Sequence, residues 1–238
     1  MCAHDVNYVR QYSLKIMADI FRCEGFTDLS CISDTLAKLT KSPPALSAST
    51  EEIMAFVSAV DAACLRLLKS NTEDANKLFL EASRMELDFF TSVDASVLAP
   101  LSQELYSFYS QVPATVLVTH CPHSQSLSAA TATSLMKKIN NVVGSKKDDV
   151  TEPLLHTLAG CVLLAARCHP DALRNVFHLL FGLHRDAKLI SCACGDAMTS
   201  RLRPQIEGIF GDCLEAMGME AFLPHVYLNV CARPWREA

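Results

Sequence analysis

Apolar residues recur every three or four positions along nearly the whole chain, the spacing of amphipathic helices rather than strands. Val6, Val9, Leu14, Met17, Ile20 and Phe21 form a first stripe that ends near Gly25. Leu29, Ile32, Leu36 and Leu39 form a short second one, stopped before Pro43 and Pro44. Ser49 with Glu51 and Glu52 makes an N-cap and an acidic first turn. A third helix follows through Ile53, Phe56, Val57, Val60, Cys64, Leu65 and Leu68. The polar run 71–74 opens a fourth through Leu78, Leu80, Met85, Leu87 and Phe90. A fifth spans 95–112 and breaks at Pro113.

Residues 127–143 make a further helix, closed by Gly144 where a left-handed residue suits a C-terminus. The polar run 145–149 reads as a linker. Beyond it, residues 153–168 are apolar almost all round, with 170–183 as their short partner. The pattern then predicts helices over 187–203 and 206–217, with Pro204 opening the second. Gly218 ends that helix, and 220–230 make a last one interrupted by Pro224. Hairpin turns and strand alternation are lacking.

The expected class is therefore all-α. Helix pairs in which one member is apolar on more than one face suit a HEAT/armadillo-like α-solenoid of antiparallel helix pairs, since stacking covers both sides. A compact helical bundle is the alternative. The expected organisation is N-terminal helical repeats over 1–144, a polar linker over 145–150 and C-terminal HEAT-like repeats over 151–238.

Composition narrows the function more than the fold. The chain has 238 residues, 50% hydrophobic and 20% charged, with 21 Lys and Arg against 26 Asp and Glu. Its mean hydropathy is +0.19 and its net charge −5. Such a balance argues against a domain whose main task is wrapping a phosphate backbone. The N-terminus has neither the basic start nor the apolar core of a secretory signal, and the longest uncharged apolar stretch near the middle is too short to span a bilayer. Eleven cysteines include no CxxC pair, an odd number that points to reduced thiols inside the cell.

Little in the sequence carries chemistry. His120, Cys121 and His123 are the densest set of metal-ligand types. Cys192 and Cys194 would supply a second pair, yet on a helix they point about 200° apart. The expectation is a polar loop with packing cysteines, and neither metal nor cofactor. Cys168 beside His169 does not place a base against a thiol, because helical neighbours do not face each other. Glu51–Glu52 and Asp148–Asp149 read as helix-start and linker charges. No glycine loop suits a phosphate. Phe89, Phe90, Tyr106, Phe108 and Tyr109 fit a core better than a base-stacking platform. An enzyme would need a polar notch near His156, Cys161 or His178. The preferred expectation is a non-enzymatic chain without a small-molecule substrate.

Basic residues gather weakly at Lys137 and Lys138, at Lys146 and Lys147, and at Arg201 with Arg203. They are the candidate contacts to a partner or to an RNA backbone, against the plainer reading of a solvated helix face.

The last stretch is the most distinctive. From Ile206 to Met217 a helix runs into Gly218, then Met219 and Glu220, then Leu223–Pro224 and Tyr227–Leu228–Asn229. This resembles a repeat in the family of ribosomal RNA-processing protein twelve, a HEAT-repeat ribosome-assembly factor, over residues 204–232. There the turn reads Gly-Pro-Glu and the next segment Leu-Pro-Leu-Asn; here Met219 replaces the proline and His225–Tyr227 a tighter sequence. The resemblance implies a scaffold of small-ribosomal-subunit assembly and pre-rRNA processing. Such a scaffold is nucleolar or nuclear, off membranes, and binds basic proteins of a large ribonucleoprotein with weak rRNA backbone contact. The other expectation is a generic HEAT/armadillo adaptor in transport, signalling or an organellar complex, cytoplasmic if that reading holds. An acidic solenoid complements basic partners in either case.

Overall fold

The computed structural model describes residues 3–70, 74–113, 133–134, 136–138, 140–141, 145, 148–168, 170–194 and 197–230. Every regular element among them is helical, so the all-α expectation holds. The chain divides into two compact units, Met1–Cys121 and Pro122–Ala238.

The first unit contains α1 (Ala3–Arg22), α2 (Leu29–Leu39), α3 (Thr50–Lys69), α4 (Ala75–Phe90) and α5 (Ala95–Gln111). Local chemistry sets their ends. Ser49 caps α3 by accepting from the Glu52 N–H at 3.2 Å, and Asp28 caps α2 by accepting from the Cys31 N–H at 3.0 Å. The α3 helix is the hub, buried on more than one face and packed against α1, α2, α4 and α5. Phe56, Phe79, Phe90, Phe108, Leu67 and Leu101 are among the fully buried side chains of this core. Of the aromatic residues expected in the core, Phe89, Phe90, Phe108 and Tyr109 are buried, whereas Tyr106 is only half-buried.

Three arginines join α1, or the chain just after it, to the segments it meets. Arg10 Nε lies 3.4 Å from Glu52 Oε1, and Arg22 Nη2 donates to Ser58 Oγ at 2.5 Å. Arg66 Nη2 donates to the carbonyls of Glu24 and Phe26 at 3.0 and 3.1 Å. Residues 10 and 24 therefore match 52 and 66, so α1 and α3 run in the same direction. The α4 helix runs back along α3 and α5 returns parallel to α3, so that Asp61 meets Glu86 on the one and Glu104 on the other.

The second unit contains α6 (Asp148–Cys168), a 3-10 turn (Pro170–Leu173), α7 (Arg174–Cys194), α8 (Ala197–Met217) and α9 (Met219–Val230). Several sequence-based boundaries move here. Asp148–Val150, expected within the linker, form the first turn of α6. The separate helices expected over 170–183 and 187–203 give way to one continuous α7 and to an α8 that already includes Arg201 and Arg203. Pro204 lies inside α8 and Pro224 inside α9, rather than opening the one and interrupting the other. Uninterrupted apolar spacing on either side of a proline carries the helix through it, although the ring costs a backbone hydrogen bond. Pro100 and Pro153 lie inside α5 and α6 in the same way. Gly218 does stop α8, in the left-handed region at φ 80°.

Phe177 is the hub of an aromatic cluster in this unit. Its ring centroid lies 6.0 Å from Phe210, 5.5 Å from Phe222 and 4.9 Å from His225.

Candidate functional site

The most unusual chemistry lies in the first unit, at two carboxyl groups. In α3, Asp61 sits four residues after Val57 and three before Cys64, on the buried stripe; it is 4% exposed. Glu86 occupies the corresponding place on α4, between Phe79, Ala82 and Phe90, and is 0% exposed. Across the antiparallel α3–α4 pair the two side chains come within hydrogen-bonding reach of each other. No other donor among the described residues reaches any of the four carboxyl oxygens.

Two carboxylates cannot donate to one another, so the contact becomes a hydrogen bond only when the pair holds a proton. Burial is the main cause that raises both groups above the ordinary carboxylate range. For Asp61 the neighbouring charge of Glu86, and then that of Glu104, add to it, while Arg22 opposes it. For Glu86 the charge of Glu104 adds to burial, opposed by the hydrogen bond from Asp61. Buried Cys64, one turn after Asp61, is pushed well up by its own burial and by the same two carboxyls. It is an inert packing thiol rather than a nucleophile.

Asp61 also forms part of the floor of a cleft of about 330 Å³. The wall on one side is the end of α1, with Phe21 and Arg22; on the other it is α5, with Glu104 and Phe108. Acid–base catalysis by the pair does not fit this layout, since Glu86 is sealed behind Asp61 and reaches no ligand in the cleft. Holding a proton between two carboxyls shielded from solvent does fit.

The sequence-predicted contacts fare differently. Lys137 is exposed and Lys138 half-buried, its ammonium lowered by burial. Lys146 and Lys147 lie outside the described residues. Arg201 and Arg203 are both exposed on α8, but two positions apart on a helix sends them about 200° apart, so they share no patch. Arg203 Nε is 2.8 Å from Glu207 Oε1, and the same oxygen lies 3.1 Å from His184 Nε2. The hydrogen bond with His184 is the largest cause that lowers Glu207, followed by the one from Arg203.

His156 and His178 are exposed, whereas Cys161 is buried. Burial pushes the Cys213 thiol up to about 12. His120, Cys121, His123 and His169 lie outside the described residues, as do the side chains of Cys168, Cys192 and Cys194. Among the described residues no group of three His, Cys, Asp or Glu is placed to hold a metal ion. None of the described helices is long and apolar enough to cross a membrane.

Sequence reasoning missed Asp61 and Glu86, although a signal was present. Each interrupts an otherwise apolar stripe with an acidic residue, and a charge on a buried stripe is rare unless paired.

Comparison with protein-family models, curated proteins and solved structures gives no match to the chain.

Proposed function

We propose that this chain is a non-enzymatic helical scaffold that holds other proteins, built as a HEAT/armadillo-like α-solenoid. The packing order within each unit supports the solenoid reading. In the first, α1 packs on α3, α3 on α5 and α2 on α4; in the second, α6 packs on α8 and α7 on α9. Helices two apart in sequence lie side by side, as they do when antiparallel pairs stack.

The observation that carries the binding role is the outward face of α1. Tyr8, Tyr12, Ile16 and Ile20 follow one another at four-residue intervals, with Val9 beside them, and all are exposed. An apolar ridge of about three turns on one helix is the form that helix-in-groove and helix-on-helix recognition take. The acidic balance of the chain favours basic partners.

The narrower reading, a scaffold in small-ribosomal-subunit assembly, rests on the resemblance over 204–232, with Arg201, Arg203, Lys137 and Lys138 as candidate contacts to basic proteins or rRNA. The deciding experiment is affinity purification of the tagged chain from its own cells, with protein and RNA both identified, beside a Tyr12→Glu/Ile16→Glu variant. Recovery of assembly factors and small-subunit precursor RNA, lost in the variant, supports this reading. Partners without precursor RNA favour a generic adaptor in transport, signalling or an organellar complex. A recovered set unchanged by the variant removes α1 as the docking face.

A further inference from the structure

The α1 helix has two opposed faces. Leu14, Ala18 and Phe21 are buried on the side that packs on α3, and the exposed row Tyr8, Tyr12, Ile16 and Ile20 stands roughly half a turn round from them. Its i, i+4 spacing is that of the ridges along which helix surfaces pack into one another.

One flank of the row carries both signs of charge. Lys15 and Asp19 follow each other at the same four-residue spacing. Lys15 Nζ lies 5.9 Å from the centre of the Tyr12 ring, and the Asp19 side chain is 80% exposed although Arg22 Nη1 comes within 3.7 Å. The charged residues of α1 are Asp5 and Asp19 against Arg10, Lys15 and Arg22, so the acidic surplus of the chain lies off this helix. The ridge itself therefore does not select a basic partner. A flank with one cation and one anion, a turn apart, is complementary to a reversed copy of itself.

We propose that the ridge of α1 is covered by the same ridge of a second copy of this chain, the two helices antiparallel about a two-fold axis beside Ile16. The proposal rests on the reading of α1 as the docking face and names its occupant. An isologous contact of this kind sets each patch against itself. Ile16 meets its own copy at the axis, and on either side of it Tyr12 meets Ile20 of the second copy. The two-fold keeps both Lys15–Asp19 flanks on one side of the interface and reverses their direction, so each Lys15 comes beside Asp19 of the other copy. A parallel pair would put these flanks on opposite sides, without partners. Exposed ion pairs add little affinity but fix register and choice of partner. Five apolar side chains on one helix cover less than the roughly 800 Å² per partner of a standard interface, so the dimer is weak, with Kd on the order of 10 μM.

The test is sedimentation velocity on the full chain across the micromolar range, with thiols kept reduced because Cys23 is exposed just beyond α1. A concentration-dependent monomer–dimer equilibrium is expected. Lys15→Glu and Asp19→Lys each set like charges face to face at both ends of the contact and are expected to weaken it at least tenfold. An equimolar mixture of the two variants, and the double variant Lys15→Glu/Asp19→Lys, are expected to dimerise as the unaltered chain does. A chain that stays monomeric throughout, a dimer indifferent to the single reversals, or a mixture that fails to restore it would each overturn the proposal. If the unaltered chain is monomeric while Tyr12→Glu/Ile16→Glu still loses partners in the affinity purification, α1 remains the docking face and only its occupant is wrong.

Discussion

Asp61 and Glu86 meet across the α3–α4 interface as two carboxyl groups with no cation between them. In the folded chain the pair keeps a proton far above the ordinary values of 3.8 and 4.5, with Glu86 pushed up to about 8 chiefly by burial. The unfolded chain gives its protons up near pH 4. Unfolding therefore releases protons above pH 4, and stability falls as pH rises from about 4 towards the raised values of the pair, about 8 for Glu86. Glu86→Gln replaces the shared proton by an amide N–H that donates to Asp61. It is expected to raise stability at pH 8 by about 1–3 kcal/mol and to flatten the pH dependence, as read by urea unfolding at several pH values. A steeper dependence in the variant would refute the account.

Gly218 and Gly208 make a matched pair of tests, because an added Cβ meets nothing within 4 Å at either. Gly208 lies inside α8, so Gly208→Ala is expected to stabilise by up to about 1 kcal/mol through helix propensity and a less flexible unfolded chain. Gly218 has φ 80°, and Gly218→Ala is expected to cost about 1–2 kcal/mol from backbone strain alone. Thermal melts that shift in the same direction for both would disprove the left-handed cap.

Core and ridge aromatics should separate cleanly. Phe79 is buried on α4 with its ring 5.9 Å from that of Phe108, and Phe79→Ala is expected to cost about 3–5 kcal/mol through lost burial and a cavity. Tyr12 is 61% exposed, and Tyr12→Ala should move stability by no more than about 0.5 kcal/mol. Comparable denaturation midpoints for the two variants would mean that α1 is covered.

Glu207 offers a test in the second unit. Its carboxyl is held below the usual range first by the hydrogen bond with His184 and then by that from Arg203. NMR titration of the Glu207 carboxyl should therefore show a larger upward movement in His184→Ala than in Arg203→Ala. The reverse order would put the ion pair within α8 ahead of the link between α7 and α8.

The helices were legible because their causes are local. Ser49 announces the start of α3 through its spacing to Glu52, and Gly218 announces the end of α8 by what only glycine tolerates. The prolines misled for the opposite reason: residue type alone made Pro204 a boundary, while the apolar spacing beyond it belongs to the same helix. The carboxyl pair was hidden by distance in sequence. Asp61 and Glu86 are 25 positions apart and become partners only when α3 and α4 lie antiparallel. Arg203 read as a free cation until the next turn of its helix brought Glu207 beneath it.

Four helices carry a proline one or two turns in, at Pro100, Pro153, Pro204 and Pro224. Each removes the backbone N–H that would have tied residue i to the carbonyl four positions earlier. The opening turns of α5, α6, α8 and α9 are thus fastened to the rest of their helices by one bond fewer, while the turns beyond are fully laced. Under amide hydrogen exchange each of these helices is expected to behave as two segments, a quickly exchanging start and a protected body. Fluctuations at these helix beginnings would then stop at the proline instead of running on into the core.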